Sequence, residues 1–205
     1  MTAKLYYAHD PMCSWCYAFR PVLDALIAKL PKQIEVICLL GGLAPDSDEP
    51  MSDEMREYVQ ANWRRIEAQV AGTKFNYDFW DQCKPRRSTY PACRAVIAAR
   101  AQGLEYDLEM IFAIQQAYYC QARNPSDVST LTELALEIGL NKDKFIKDFR
   151  SLETDEVLRE EIKLCRQSGL NSFPGLLLET ENQQIRIEPD YLNADFMLDK
   201  MNQYF

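Results

Sequence analysis

The chain has 205 residues, of which 47% are hydrophobic and 26% are charged, so it is long enough to bury a core and has the composition of a globular protein. Its formal net charge of −8 argues against binding to a nucleic-acid backbone through the overall field. No apolar run is long enough to span a membrane and no secretory leader is apparent, so either the protein stays in the cytoplasm or its leader is missing from this sequence. We expect a cytoplasmic protein that binds neither nucleic acid nor membrane.

The N-terminal part of the chain predicts one βαβ unit. Residues 4–9 form a short aromatic-rich run that is typical of a buried strand. A helix is expected to begin near Met12 and to end at residue 30, with a kink at Pro21. Residues 34–40 are nearly all apolar, which favours a strand buried on both faces of a parallel sheet.

The middle of the chain predicts helices. Residues 51–150 look helical throughout, beginning with Ser52 as an N-cap. Later helices are expected over about 91–102, 105–122, 129–138 and 142–150. Thr154 is then expected to cap another helix. Two strands, over 175–179 and 183–188, and a last helix over about 190–203 complete the pattern.

The two ends of the chain together have the βαβ-αββα order of a thioredoxin fold. We therefore predict the α/β fold class, with a core formed by residues 1–45 and 153–205. Residues 46–152 are predicted to form a large all-helical inserted domain.

Cys13 and Cys16, with Ser14 and Trp15 between them, form a C-x-x-C pair at the predicted start of the first helix. In a βαβ context this spacing predicts a redox-active dithiol. The unpaired N–H groups and the positive end of the helix dipole stabilise a thiolate at the first cysteine. We therefore expect Cys13 to be the nucleophile and Cys16 to be the resolving thiol.

The residues around the pair are candidates for substrate contact. Ser14 lies between the cysteines, and Trp15, which its position predicts to be exposed, is expected to contact a substrate. His9 and Asp10 precede the helix. Two interpretations of them stay open: they adjust the acidity of Cys13, or they cap the turn.

Pro174 lies between a predicted helix and a predicted hairpin. At this point of the fold we expect a cis peptide bond between Phe173 and Pro174 that faces the cysteine pair. Such a bond exposes the backbone of Phe173 for strand-like pairing with an extended substrate.

The chain has seven cysteines, an odd number with irregular spacing, which argues against a disulfide scaffold and is typical of a reducing compartment. No second close pair of Cys or His accompanies the C-x-x-C pair, so no metal site is expected. Cys38, Cys93 and Cys165 are predicted to be core residues, although Cys93 also begins a helix. The basic run Lys84–Arg87 is typical of a solvated loop, with a small-anion site as the alternative.

Four segments resemble the DsbA-like thioredoxin-family oxidoreductases, above all the bacterial cytoplasmic, FrnE-like branch assigned as protein-disulfide isomerases: Asp10–Cys16, Gly41–Leu43, Pro91–Val96 and Asn171–Pro174. The resemblance covers nearly the whole chain. It implies a thioredoxin core with a helical insertion, in which Cys13 is the nucleophile, Cys16 resolves and Pro174 is the cis proline.

This sequence also departs from that family. Periplasmic members carry a Pro-His pair where this chain has Ser14 and Trp15, so their strongly oxidising character is not implied. Phe173 is bulkier than the Val or Thr usual before the cis proline.

Three functions are compatible with the sequence. The first is exchange with protein or small-molecule disulfides through the redox-active pair, with no further cofactor and with glutathione as a candidate co-substrate. The second is the glutathione-dependent chemistry of kappa-class transferases and 2-hydroxychromene-2-carboxylate isomerases, which resemble this architecture but typically carry Ser at the position of Cys13. The third is a peptide-binding module with an inert pair. The intact pair favours the first, while the substrate, redox direction and oligomeric state stay open.

Overall fold

The computed structural model describes residues 3–204, which divide into two compact units. Described residues up to Gly41 and from Glu161 onward form the core unit, and Gly42–Glu160 form the helical unit. The sequence predicts these boundaries near residues 45 and 153; the observed second boundary falls inside a helix, where no sequence pattern marks it. The predicted domains, and the expectation that no secretory leader is present, involve residues 1, 2 and 205, which lie outside the described residues.

The strands all belong to the core unit. They are β1 (Ala3–His9), β2 (Ile34–Leu40), β3 (Gly175–Glu179) and β4 (Gln184–Ile187). Within residues 3–204 they form one four-stranded sheet in the order β2-β1-β3-β4. The β1–β2 pair is parallel and the other two pairs are antiparallel.

The helices of the described residues are, in chain order, α1 (Ser14–Lys29), α2 (Asp53–Gln69), α3 (Phe79–Gln82), α4 (Tyr90–Arg100), α5 (Tyr106–Tyr119), α6 (Val128–Glu137), α7 (Lys142–Phe149), α8 (Leu152–Gln167) and α9 (Ala194–Asn202). The predicted order of elements, βαβ followed by helices and then αββα, is confirmed. The short helix α3 lies within residues 51–150, which look helical in the sequence, but it precedes the later helices for which bounds are predicted, beginning with 91–102.

The sheet of the core unit is covered on both faces. Alternate side chains of a strand point to opposite faces, so Leu178 of β3 packs with Phe19 of α1 and Met201 of α9. Its neighbour Leu177 packs on the other face with Cys165 of α8. The result is a three-layer α/β/α arrangement in which α1 follows β1 after a four-residue turn over residues 10–13.

The first helix begins two residues later than the sequence predicts. A turn centred on Asp10 delays it, because the backbone N–H of Met12 donates to the Asp10 carboxylate at 2.8 Å. The N–H of Cys13 donates to the Asp10 carbonyl at 3.0 Å. Cys13 is consequently the N-cap of α1, and Pro21 lies inside that helix.

The two predicted N-caps have different outcomes. Ser52 caps α2, since its hydroxyl accepts the N–H of Met55 at 3.3 Å, as predicted. The prediction for Thr154 is wrong. Thr154 is buried inside α8, and its N–H donates to the hydroxyl of Ser151 at 3.1 Å, so Ser151 provides the cap.

The helical unit is built around Trp63, which is fully buried on α2. Its ring contacts six other aromatic rings at centroid distances of 4.8–6.1 Å, those of Phe75, Tyr77, Phe79, Trp80, Tyr118 and Tyr119. Helix α4, rich in buried alanine, packs against α5, α6 and α7. No helix between residues 3 and 204 is long and apolar enough to cross a membrane.

Candidate redox site

The C-x-x-C pair lies where β1 leads into α1. Cys13 and Cys16 are free thiols with 6% and 1% of their surface exposed. Their side chains are hydrogen-bonded to each other. Since Cys13 is the N-cap, its sulfur lies at the positive end of the α1 dipole, while Cys16 lies one turn further into the helix. The predicted placement of the pair is therefore confirmed.

Cys16 is held as a protonated thiol. Burial raises its pKa well above the ordinary value of 9.0, and the hydrogen bond with Cys13 and the charge of Asp10 act in the same direction. The backbone N–H of Asp10 offsets part of this effect by donating to the Cys16 sulfur. The buried sulfur thus needs deprotonation before it can attack.

Phe173 and Pro174 lie opposite the pair. The Phe173–Pro174 bond is cis, as predicted. The Cys13 thiol donates to the Phe173 carbonyl at a sulfur–oxygen distance of 3.5 Å. The preceding loop is held by Arg186, whose guanidinium donates to the Gly169 carbonyl at 3.0 Å and to the Ser172 hydroxyl at 3.1 Å.

Ser14 and Trp15 are both half-buried at the start of α1. The prediction that Trp15 is exposed is wrong. Its ring meets the edge of Tyr191 at a centroid distance of 5.1 Å, and Tyr191 in turn contacts Phe19 at 5.5 Å. A residue far along the chain covers Trp15, which position within a helix does not reveal.

His9 and Asp10 are buried, with 2% and 0% of their surface exposed. Asp10 caps the turn before α1, which was one of the two interpretations. Its charge also raises the pKa of Cys16. His9 stacks on Tyr7 with a centroid distance of 5.0 Å.

Two tyrosines that the sequence analysis did not select border the pair. Burial raises the pKa of Tyr7 well above 10.0, with further contributions from Cys16 and Cys13, and its side chain is hydrogen-bonded to Cys16. Burial and the same two sulfurs also raise the pKa of Tyr191. Strand alternation from Leu5 places Tyr7 on the α1 face of the sheet, whereas nothing local in the sequence marks Tyr191.

Gly41, at the end of β2, is the third residue that sequence reasoning missed as part of the site. Its N–H donates to the His9 carbonyl at 2.7 Å. A Cβ atom at this position would lie 2.0 Å from two ring carbons of Phe173. In the sequence, Gly41 stood out only as part of Gly41–Leu43, one of the segments that resemble the DsbA-like oxidoreductases, and nothing there marked it as a contact of Phe173.

The structure also describes the surroundings of the other predicted residues. Cys93 and Cys165 are buried as predicted, and Cys38 is half-buried. In the basic run, Arg86 donates to Asp127 and to the Ser126 carbonyl, both at 2.6 Å, so this part of the run is bonded within the helical unit and is not a solvated loop. Within the part of the chain that the structure describes, no group of three or more His, Cys, Asp or Glu side chains is arranged to hold a metal ion.

Comparison with protein families gives a match over most of the chain. A family model described as Thioredoxin matches residues 6–188. Among curated proteins, the ClpXP adapter protein SpxH of Bacillus subtilis (strain 168) is 24% identical over 193 residues, which are 92% of this chain and 63% of that protein. The chain thus spans less than two thirds of the length of this relative.

Solved structures with the same architecture include two that cover the chain almost completely. A Nitrosomonas europaea protein assigned as a protein disulfide isomerase has a TM-score of 0.84 and 25% identity, covering 100% of this chain and 99% of its own. The cytosolic disulfide reductase DsbM from Pseudomonas aeruginosa has a TM-score of 0.77 and 26% identity, covering 98% of both chains. DsbM has also been solved with GSH, and that structure has a TM-score of 0.75 and 25% identity over 98% of each chain.

Proposed function

Since the chain belongs to the thioredoxin family, with DsbA-like oxidoreductases among its structural neighbours, we propose that it is a thiol–disulfide oxidoreductase acting through Cys13 and Cys16. One observation carries the proposal. The two thiols are hydrogen-bonded to each other at the N-terminus of α1, and the outer one faces the carbonyl of Phe173.

In the first step the Cys13 thiolate attacks one sulfur of a substrate disulfide. A bond forms between Cys13 and that sulfur, and the substrate S–S bond breaks. The second substrate sulfur leaves as a thiolate and takes up a proton. Cys13 is the N-cap of α1, so the positive end of the helix dipole lies beside the sulfur that makes this attack.

In the second step Cys16 loses its proton and attacks the Cys13 sulfur of the mixed disulfide. The Cys13–Cys16 disulfide forms, and the remaining substrate sulfur leaves and is protonated. The substrate has then gained two electrons and two protons, which the dithiol has lost. The hydrogen bond between the two side chains supports this role for Cys16 because it keeps them within reach of each other.

Protein and peptide disulfides are the substrates that we propose. The Phe173 backbone lies beside Cys13, where an extended polypeptide that flanks a disulfide can pair with it as a strand. The half-buried Trp15 and the first helical residue, Ser14, are the proposed side-chain contacts.

We propose reduction as the physiological direction and the cytoplasm as the compartment. The similarity of the chain to the cytosolic disulfide reductase DsbM supports both proposals. The structure of DsbM with GSH supports glutathione as the reductant. Two glutathione molecules would return the pair to the dithiol: the first forms a mixed disulfide, and the second releases it as oxidised glutathione.

The alternative is a glutathione-dependent transferase or isomerase, in which a resolving thiol has no part. The contact of Cys16 with Cys13 favours exchange over that alternative. The two functions differ in what happens when Cys16 is replaced.

The experiment compares three variants with a peptide disulfide as substrate. Cys13→Ser is expected to abolish reduction, since no nucleophile remains. Cys16→Ala is expected to accumulate a mixed disulfide at Cys13, visible by intact mass. Cys120→Ser, at an exposed cysteine of the helical unit, is the matched control and should behave as the native protein. Full activity of Cys13→Ser would show that exchange at this pair is wrong, and full activity of Cys16→Ala without a trapped species would favour the alternative.

A further inference from the structure

We infer that Gly41 is a positioning residue for exchange: the space left by its missing side chain seats the ring of Phe173 and so holds the Phe173 carbonyl beside Cys13. This inference rests on the proposed function. Gly41 acts through its contact with Phe173.

The contact between the two residues is unusually close. A Cβ added to Gly41 would lie 2.0 Å from Cε1 and Cζ of Phe173 and 2.9 Å from Cδ1. Non-bonded carbons attract one another at about 3.5–4.0 Å and repel strongly below that. The ring therefore occupies the volume that any other residue at position 41 would fill.

Gly41 is itself anchored to the strand that leads into the site. Its N–H donates to the His9 carbonyl at 2.7 Å, directly before the turn of Asp10. The backbone at position 41 therefore cannot retreat from an added methyl group without disturbing the approach to α1.

Phe173 has little freedom to move away. Its ring packs against a buried cluster that includes Leu39, Leu170 and Leu177. The following Pro174 is buried, and a Cβ added to Gly175 would lie 2.9 Å from the Ser172 carbonyl, so the backbone is also tightly placed beyond the proline. Displacing the ring must then shift the Phe173 backbone, whose carbonyl accepts from Cys13 at 3.5 Å.

The test is a double-mutant cycle with Gly41→Ala and Phe173→Val. Gly41→Ala is expected to lower kcat/KM for a peptide disulfide by about 10- to 100-fold, the range for misplacing a reacting group by about 1 Å. Valine lacks the Cδ, Cε and Cζ atoms that meet position 41. In the Phe173→Val background the added methyl group should therefore have no further effect, and this non-additivity identifies the contact.

Gly103→Ala in the helical unit is the matched control for a glycine-to-alanine change. The three atoms nearest to a Cβ there all belong to the side chain of Glu105, at 2.7–2.8 Å, and that flexible carboxylate can turn away. This variant should keep the native kcat/KM.

A second readout separates positioning from loss of structure. Alkylation of Cys13 by iodoacetamide needs no pairing with the Phe173 backbone, so its rate in folded Gly41→Ala should stay within about twofold of the native value. If Gly41→Ala alone does not fold, recovery of folding by added Phe173→Val supports the contact, and continued failure of the double variant overturns it.

The results distinguish the two proposals. A native protein that reduces no disulfide contradicts the proposed function before any variant is compared. With an active native protein, two results overturn the positioning role alone. One is full kcat/KM in the Gly41→Ala variant, and the other is a loss from Gly41→Ala that is as large in the Phe173→Val background as in the native one.

Discussion

The core unit and the helical unit bury different kinds of side chain. Next to the thiols, the core unit buries groups that can lose a proton, and the pKa values of Cys16, Tyr7 and Tyr191 are all raised there. The helical unit buries aromatic rings around Trp63. Its half-buried Arg94 is neutralised by ion pairs with Asp46 and Asp155.

The difference indicates that the buried side chains of the core unit serve chemistry, whereas those of the helical unit serve stability. Proton loss from a buried group in the core unit changes chemistry, because a thiolate reacts and a thiol does not. Loss of volume from the helical unit changes stability, because close-packed rings leave a cavity when one is removed. Four changes test this contrast, beginning with the largest expected effect.

Trp63→Ala should lower the free energy of unfolding by about 3–5 kcal/mol, because it empties the centre of the aromatic cluster. Urea unfolding followed by circular dichroism measures the loss. Tyr58→Ala on the same helix, at a side chain that is 62% exposed, is the control and should change stability little. The rate constant of disulfide reduction per folded molecule should be unchanged. A lower rate constant would contradict the proposal that packing in the helical unit affects stability and not chemistry.

Resolution of the mixed disulfide should accelerate with pH. The raised pKa of Cys16 means that its reactive thiolate is the minor form below that pKa. The thiolate fraction, and with it the resolution rate, should grow about tenfold per pH unit in this range. Stopped-flow measurement of mixed-disulfide decay over neutral and alkaline pH gives the slope, and a rate independent of pH would contradict a buried neutral Cys16.

Stability should fall at alkaline pH. Tyr7 keeps its proton in the folded chain when an unfolded tyrosine, with a pKa near 10.0, loses it. The unfolded state then binds fewer protons, so the free energy of unfolding decreases above pH 10, by about 1.4 kcal/mol per pH unit for this group. Tyr7→Phe should make the decrease shallower in urea titrations between pH 8 and pH 11. An unchanged slope would mean that Tyr7 ionises within the folded protein.

Ser151→Ala should destabilise the chain by about 1 kcal/mol, because it removes the hydroxyl that accepts the N–H of Thr154 at the start of α8. Ser168→Ala, just beyond the other end of that helix, is the control, since a hydroxyl there cannot cap N-terminal N–H groups. Thermal unfolding measures both. Equal effects would show that the cap contributes nothing.

Features that depend on residues close together in the sequence were predictable. The bounds of β2 match the apolar run, and Ser52 caps α2, since both depend on local pattern and local hydrogen bonding. The C-x-x-C pair falls at a helix N-terminus for the same reason. A local prediction was wrong at the start of α8, where Ser151 and Thr154 are both suitable N-cap residues and Ser151 is the one that caps the helix.

Contacts between distant segments were not predictable. Tyr191 covers Trp15, and Gly41 seats Phe173, although each pair is separated by most of the chain. Periodicity and spacing can be read from a single sequence, but they do not show which residue, distant along the chain, packs against a given side chain. The cysteines were therefore found from the sequence, while the side chains that shape their surroundings were found only in three dimensions.

The edge-on contact between Trp15 and Tyr191 has an optical consequence. The chain has three tryptophans: Trp63 and Trp80 lie together in the helical unit, and Trp15 lies between the two cysteines in the core unit. Indole fluorescence is quenched by a neighbouring disulfide, so oxidation of the pair should dim the emission of Trp15. The protein thereby carries a built-in reporter for the state of its two sulfurs.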